Sequence, residues 1–263
     1  MATFKITIAY DGTGFVGWQR QARGPSIQGV IEEALSALDG RTVAVHGAGR
    51  TDAGVHALAQ VASFTLVRDL GAGAVMRATN ARLPASVRIV SAATVDAAFH
   101  ARHCARGKRY AYRILNGDVP DVFARAYVWH VRAPLDVGAM NAAARQLEGR
   151  HDFAAFQASG AATITTEREI FRIEILTTKN TNEGLGAGRE LMTVQIAGDG
   201  FLRHMVRIIV GSLVEIGRGR RDCRWLGRVL ASGDRRLAGP TAPAHGLFLL
   251  GVDYPSDVLA DEC

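Results

Sequence analysis

The sequence has few cysteines and no long apolar run, and each shortage excludes a class of protein. Its three cysteines, Cys104, Cys223 and Cys263, form no CxxC pair, so neither a disulfide framework nor a cysteine zinc site is expected. The N-terminus has no apolar leader segment, and no stretch of about 18 apolar residues could span a bilayer. We therefore expect a cytoplasmic protein that does not contact membranes.

Lysine is also scarce, occurring only at Lys5, Lys108 and Lys179, so arginine carries most of the positive charge behind the net charge of +6. The planar guanidinium group binds phosphates and stacks on bases, which favours a nucleic-acid partner. A genome of high GC content would also enrich arginine, so clustering is better evidence than the total. One cluster contains Arg102, His103, Arg106, Lys108, Arg109 and Arg113 around Tyr110 and Tyr112, and a second contains Arg218, Arg220, Arg221, Arg224 and Arg228.

The stretch GTGFVG, residues 12–17, spells G-x-G-x-x-G directly after the apolar segment FKITIAYD. In a dinucleotide site the third glycine opens a helix, and an acidic residue follows about 20 positions later. Here the helix is predicted to begin near Ser26, after Pro25, and the nearest acids, Glu32 and Glu33, lie inside it. We therefore expect no nucleotide cofactor and a flexible loop that another chain or a nucleic acid approaches closely.

Hydrophobic periodicity predicts the order β-α-β-β-α-β twice along the chain. The first unit has the strands FKITIAY, TVAVHG, QVASFTL and VRIVSAATV and the helices SIQGVIEEALSAL and GAVMRATNARL. The second has the strands KRYAYRIL, EREIFRIEILTT, ELMTVQIAG and LFLLGVDY and the helices LDVGAMNAAARQLEG and FLRHMVRIIVGSLVEIG, with RWLGRVLASG inserted and TKNTNEGLGAGRE as a turn. This predicts an α+β fold of two ferredoxin-like halves, residues 1–105 and 106–263, with a mainly antiparallel central sheet and a basic cleft.

The loop HGAGRTDAGVHALAQ, residues 46–60, has too many glycines for a helix and presents Arg50 and Asp52 close together. Asp52 has three possible uses: a turn-forming residue, a metal ligand or a nucleophile. His46 and His56 are the only local partners for a metal, so we expect none, although a nuclease that uses Asp52 and His56 with a metal stays an alternative. A nucleophilic carboxylate would need an arginine partner from elsewhere in the chain.

Five stretches, in order, resemble the tRNA pseudouridine synthase A family: YDGTGFVGWQRQ, GRTDAGVHA, FHARHCARGKRYAYRI, FLRHMVRIIVGSL and APAHGLFLLGVDYP. The resemblance spans residues 3 to 255, and GRTDAGVHA is highly specific for this family. It implies a pseudouridine synthase fold and isomerisation of uridine to pseudouridine at positions 38, 39 and 40 of the tRNA anticodon stem-loop. It also implies no cofactor, tRNA as partner and a homodimer. A non-catalytic tRNA-binding protein with the same basic cleft is the alternative function.

The resemblance also implies roles for individual residues. Asp52 would be the nucleophile and Arg207, in HMVR, its ionic partner. Arg50 would help to extrude the target nucleotide, and Tyr110 would stack on the target base. The implied tRNA contacts are Phe99, His100, Ala101, Arg102, His103 and Arg168, and Leu247 would line the pocket.

For two of these roles, a nearby residue of the same type is an alternative. Arg203 lies one turn from Arg207 in the predicted helix, but it matches no fixed family position and is expected to face phosphate. Tyr112 is predicted on the same strand face as Tyr110, so the residues alone do not separate them. The segment FQASGAATITTEREI matches the family loosely, which weakens the tRNA contacts implied around Ser159 to Thr163.

Overall fold

The computed structural model describes residues 1–160, 163–179 and 189–255, which form two compact units. Unit 1 comprises residues 1–108 and the described residues from 248 onward, and unit 2 comprises residues 109–247. Two earlier expectations fall partly outside the described residues: the tRNA contacts at 161–162 and the turn at 180–188. The division predicted from the sequence placed the last strand in the second half. In the structure, the residues from 248 onward group with unit 1.

Unit 1 shows the β-α-β-β-α-β order expected for the N-terminal half. Its elements are β1 Ala2–Tyr10, α1 Ile27–Asp39, β2 His46–Gly47, β3 His56–Leu66, α2 Ala72–Asn80 and β4 Val87–Val95. β1 lies between β4 and β3, and all the pairings of β1, as well as that of β2 with β3, are antiparallel. The predicted α+β class is confirmed.

The core of unit 1 follows from alternation in β1 and from helical periodicity in α1. Phe4, Ile6 and Ile8 are fully buried at every second position of β1, and Phe4 stacks on Phe64 with ring centroids 5.6 Å apart. Ser26 caps α1 as predicted, its Oγ accepting the Gly29 amide hydrogen at 3.1 Å. The helix buries Ile27, Ile31, Ala34 and Leu35, which recur at helical spacing.

The predicted strand TVAVHG is mostly not a strand, because only His46–Gly47 pair with β3. Val43 and Val45 are buried as a strand pattern requires. Their backbone groups, however, bond to side chains of α1: the Val43 amide donates to Ser36 Oγ at 2.9 Å and the Val45 amide to Glu32 Oε1 at 3.1 Å. Polar side chains of the helix therefore replace a neighbouring strand.

Unit 2 contains most of the remaining elements. They are β5 Gly107–Asn116, which begins in unit 1, β6 Trp129–Val131, α3 Val137–Ala144, β7 Gly149–Asp152, β8 Glu167–Lys179, β9 Glu190–Gly198, α4 Met205–Gly217 and α5 Trp225–Ser232. Its strands are ordered β5-β9-β8-β7, and β6 pairs with β5 in parallel. Eleven of the thirteen residues of α4 are buried, as its largely apolar sequence predicted.

The last strand, β10 (Leu247–Asp253), pairs in parallel with the start of β3, Phe248 opposite His56 and Leu249 opposite Ala57. Among the described residues, no helix combines the length and apolar character needed to cross a bilayer.

Candidate active site

Asp52 lies on a loop between β2 and β3 that is bonded to the protein along its length. In this loop, residues 48–55 and hereafter the Asp52 loop, the Ala48 amide donates to Val61 O at 2.8 Å and Gly49 O accepts from Gln60 Nε2 at 2.9 Å. The Val55 amide closes a turn on Asp52 O at 3.1 Å, in which Gly54 has a φ of 77°. Asp52 is half-buried and Arg50 is exposed, so both face accessible space from a fixed backbone.

A second loop packs directly against the Asp52 loop. This anchor loop, residues 11–18, contains the glycines of GTGFVG, and its Trp18 amide donates to Thr51 O at 3.0 Å. A Cβ on Gly17 would lie 2.6 Å from Thr51 O, so only glycine permits this approach. The approaching chain is therefore the protein's own Asp52 loop.

Tyr10, at the end of β1, contacts the Asp52 loop through its side chain. Its hydroxyl lies 2.8 Å from Thr51 Oγ1. Burial raises the pKa of Tyr10 to about 12, although hydrogen bonds with Thr51 and Gln60 oppose the shift. The phenol therefore stays protonated and available as a hydrogen-bond donor at neutral pH.

His56 joins the two loops at the other end of the Asp52 loop. Its Nδ1 is 3.1 Å from the Gly12 amide nitrogen and 3.1 Å from Asp11 Oδ1. Nδ1 accepts the amide hydrogen when it carries no hydrogen and donates to the carboxylate when it carries one, so the two hydrogen bonds exclude each other. The ring is 1% exposed and stacks on Phe248 at 4.7 Å between centroids, which fixes its orientation.

Sequence reasoning did not single out Tyr10, Trp18 or Gln60, which secure the Asp52 loop. None of the three belongs to a residue type that marks a functional site. The sequence indicated the close packing of these loops only through the many glycines on both of them. Trp18 covers Gly47, where an added Cβ would lie 2.4 Å from its indole ring. Lys108 extends along Gly49, where an added Cβ would be 3.1 Å from its Cε.

The segment of residues 99–103 divides into buried and exposed side chains. Phe99 and Ala101 are 6% and 0% exposed and pack with Ala48 and Val61, and Phe99 also contacts Tyr254 at 5.4 Å between ring centroids. Arg102 and His103 are exposed and His100 is half-buried. The side chains of this segment that can reach RNA are therefore those with basic groups.

Three imidazoles gather at this surface of unit 1. The ring centroid of His100 is 5.0 Å from that of His46 and 4.3 Å from that of His103. His100 Nδ1 accepts the Arg102 amide hydrogen at 3.1 Å. Partial burial lowers the pKa of His100, and the charges of His103 and His46 lower it further.

In unit 2, Tyr110 and Tyr112 have different surroundings, which the strand alternation could not reveal. Tyr112 is fully buried, donates its hydroxyl hydrogen to Pro243 O at 2.8 Å and meets Trp129 edge-on. Burial raises the pKa of Tyr112, with the charge of Arg207 opposing the shift. Tyr110 is 7% exposed, and its ring meets Phe201 edge-on at 5.2 Å. Tyr112 is thus a core residue, and Tyr110 is the better candidate for stacking.

Arg207 lies in the first turn of α4 and is braced by the chain that follows. Its Nε donates to Ala242 O at 2.8 Å, and the Ala242 amide donates to Arg207 O at 3.0 Å. Leu247, five residues beyond Ala242, is 5% exposed at the start of β10. The guanidinium is therefore oriented by a backbone carbonyl of unit 2.

Arg203 is not in the same helix as Arg207, which corrects the predicted relation between them. α4 begins at Met205, and His204 before it has a φ of 61°. Arg203 is exposed, and its Nη1 lies 3.4 Å from Ser159 O. Arg168, in β8, is half-buried and donates from Nη1 to Thr165 O at 3.0 Å.

Three of the five arginines in the second cluster pair with carboxylates of neighbouring residues. Arg218 and Arg220 both bond Glu215 Oε1, at 3.3 and 3.2 Å, and Arg228 bonds Asp222 Oδ2 at 2.7 Å. Arg221 lies over the Trp225 ring at 5.2 Å from its centroid. Part of the positive charge of this cluster is therefore already paired within the protein.

The chain is similar to tRNA pseudouridine synthases along most of its length. The model described as tRNA pseudouridine synthase matches residues 6–103 and 143–255. The chain is 46% identical to tRNA pseudouridine synthase A of Syntrophotalea carbinolica over 98% of both chains, and 46% identical to that of Pelobacter propionicus over 97% of this chain and 100% of the relative. It is 45% identical to that of Myxococcus xanthus over 97% of this chain and 92% of the relative.

Proposed function

Because the chain belongs to the tRNA pseudouridine synthase family, it is an isomerase that forms pseudouridine in tRNA, and we propose that Asp52 is its nucleophile. The observation that carries the proposal is the fixed, half-buried position of Asp52 on a loop bonded at residues 48, 49, 51 and 52. A carboxylate held by a rigid backbone loses little conformational entropy when it reaches the attacking position.

The reaction breaks the N1–C1′ bond of uridine, turns the uracil and forms a C5–C1′ bond. The hydrogen on C5 leaves as a proton, and N1 gains one, so the product is an isomer of the substrate. Asp52 can attack C1′, as a retaining glycosidase does, or add to C6 of the ring; in both cases it is later expelled unchanged. No redox partner is needed.

The supporting roles are proposed from the family resemblance and from the surroundings of each side chain. Arg207 supplies the positive charge that keeps Asp52 ionised, and its bond to Ala242 supports an oriented role. Tyr110 stacks on the target base, Arg50 helps to extrude the nucleotide, and Leu247 lines the pocket. The proposed tRNA contacts are the segment Phe99, His100, Ala101, Arg102 and His103, together with Arg168. The basic side chains supply the phosphate contacts, and the buried Phe99 and Ala101 hold the segment in place.

The proposed substrate sites are uridines 38, 39 and 40 of the anticodon stem-loop, and the enzyme is proposed to act as a cytoplasmic homodimer. Mapping pseudouridines in tRNA from a strain lacking the protein tests the positions. Sedimentation of the purified protein tests the dimer.

Replacing Asp52 tests the nucleophile directly. Asp52→Ala and Asp52→Asn are expected to abolish tritium release from tRNA labelled with 5-tritiated uridine, because the C5 hydrogen is lost only when the new bond forms. tRNA binding should persist, and Asp69→Ala, at an exposed loop position, serves as the matched control. Turnover by Asp52→Ala above background would remove Asp52 from this role; cleaved tRNA and inhibition by EDTA would instead indicate a nuclease.

A further inference from the structure

We propose that the anchor loop sets the position of the nucleophile, with Gly12 and Gly17 as positioning residues for Asp52. The proposal rests on the role proposed above for Asp52. It gives two glycines of GTGFVG a role within the protein itself, in a motif that is not predicted to bind a nucleotide cofactor.

Gly17 touches the Asp52 loop at the nucleophile itself. A Cβ there would lie 2.6 Å from Thr51 O, 3.1 Å from Ala53 N and 3.1 Å from Asp52 C. All three are backbone atoms, which cannot rotate away as the end of a side chain can. Any larger residue at position 17 must therefore displace the backbone that carries Asp52.

Gly12 makes the equivalent approach at the far end of the same loop. A Cβ there would lie 2.1 Å from Val55 O and 2.7 Å from Val55 C. The two glycines thus contact the chain on both sides of Asp52. The Trp18 amide on Thr51 O and the Gly12 amide on His56 Nδ1 add a hydrogen bond at each end.

The anchor loop is itself held by the start of α1, so it resists displacement. Gly17 O accepts the Ile27 amide hydrogen at 3.1 Å, and Trp18 O accepts that of Gln28 at 2.9 Å. The Val16 amide donates to Pro25 O at 3.0 Å. A clash at position 17 therefore acts on the backbone of the Asp52 loop, to which the atoms Thr51 O, Asp52 C and Ala53 N belong.

Gly14, between the two positioning glycines, provides the matched control. Its φ of 80° resembles the φ of 107° at Gly17, so alanine brings unfavourable backbone geometry at both positions. An added Cβ at Gly14 meets nothing within 4 Å. Comparing Gly17→Ala with Gly14→Ala therefore separates contact with the Asp52 loop from conformational strain.

The experiment measures single-turnover tritium release, tRNA affinity and thermal unfolding for Gly12→Ala, Gly14→Ala, Gly17→Ala and Asp52→Ala. Displacement of a catalytic group by about 1 Å can cost about 100-fold in rate. We expect losses of that order in Gly12→Ala and Gly17→Ala, with tRNA affinity within about threefold of wild type. Gly14→Ala should keep both its rate and its affinity within about threefold.

Hydrogen exchange gives a readout that activity does not. Amides of residues 49–56 should exchange faster in Gly17→Ala than in Gly14→Ala, while those of β1 keep their protection. Tyr10→Phe adds a variant without a clash: it removes the hydroxyl on Thr51 and should lower the rate by about two- to tenfold.

Three outcomes overturn the proposal. The first is a wild-type rate in folded Gly17→Ala, and the second is a parallel loss of rate, affinity and unfolding temperature, which indicates general damage. The third applies if Gly17→Ala does not fold: a normal rate in both Gly12→Ala and Tyr10→Phe. Turnover by Asp52→Ala is a separate result, because it contradicts the nucleophile rather than the role of the glycines.

Discussion

His204 is the sole non-glycine residue with positive φ among the residues that the structure describes, and it decides where α4 begins. The apolar periodicity of FLRHMVRIIVGSL continues through this residue, so it predicted a helix from residue 201. The left-handed turn instead separates Arg203 from Arg207, which occupy a loop and a helix. A single backbone angle therefore distinguishes two arginines that the sequence pattern placed on one helix.

Arg207→Ala is expected to reduce the single-turnover rate steeply near neutral pH. Without the positive charge proposed for Arg207, ionisation of the half-buried Asp52 carboxylate is disfavoured, and its protonated form is no nucleophile. Arg207→Lys keeps the charge without the planar fork, so partial activity is expected. The measurement is tritium release at saturating tRNA over a range of pH.

Arg203→Ala is the matched comparison, because it removes an exposed arginine four residues earlier. It should leave the single-turnover rate nearly intact and weaken tRNA binding modestly. A normal rate in Arg207→Ala together with a large loss in Arg203→Ala would reverse the assignment.

At the scale of elements, Asp39 joins the end of α1 to the end of β3. Its side chain is 0% exposed and accepts hydrogen bonds from Arg41 Nε at 2.7 Å and from the Arg68 and Val67 amides at 2.9 and 3.1 Å. Burial opposes ionisation, but these donors outweigh it and lower the pKa of Asp39. A lowered pKa means that folding stabilises the carboxylate form.

Asp39→Asn is expected to lower the free energy of unfolding by about 2 kcal/mol at pH 7, because an amide nitrogen then faces backbone donors. The ionised carboxylate stabilises the fold above the unfolded pKa of about 4, and that contribution is lost as pH falls through the lower folded value. The difference between variant and wild type should therefore shrink in acid. Denaturant unfolding at several pH values measures it.

Asp69→Asn provides the control for Asp39, because it is an exposed residue in the loop after β3. Its effect should stay within about 0.5 kcal/mol. An equal loss in both variants, or a loss in Asp39→Asn that does not change with pH, would contradict the role given to the hydrogen bonds.

Periodicity predicted every long strand and helix because the signal is local: β1 alternates, and α4 is largely apolar. It failed for TVAVHG because the partners of Val43 and Val45 are polar side chains of α1, which no local pattern encodes. The Asp52 loop was found from its glycines and its resemblance to a family. Its supports, Tyr10 and Trp18, were not, because their contacts join residues distant in sequence.

At the scale of the whole molecule, the two arginine clusters should contribute unequally to tRNA binding. Each phosphate contact adds about one unit to the slope of log affinity against log salt concentration. Arg102→Ala should therefore reduce that slope by about one unit. Arg220→Ala should change it little, because Arg220 already pairs with Glu215.

Binding titrations at four or more salt concentrations measure both slopes, with Asp52→Ala protein to prevent turnover. Equal reductions in Arg102→Ala and Arg220→Ala would mean that the ion pair with Glu215 opens when tRNA binds. No reduction in Arg102→Ala would remove Arg102 from the proposed tRNA contacts.

The pairing of β10 with the start of β3 gives the order of synthesis a consequence for activity. All of unit 2 is translated between these two strands, so a nascent chain carries Asp52 long before Phe248 reaches His56. Until then the first residues of β3 lack this partner, and Phe248 is absent from the face of the His56 ring. The support of Asp52, the proposed nucleophile, is thus completed only after all of unit 2 has been translated, and products stalled before Leu247 should bind tRNA without modifying it.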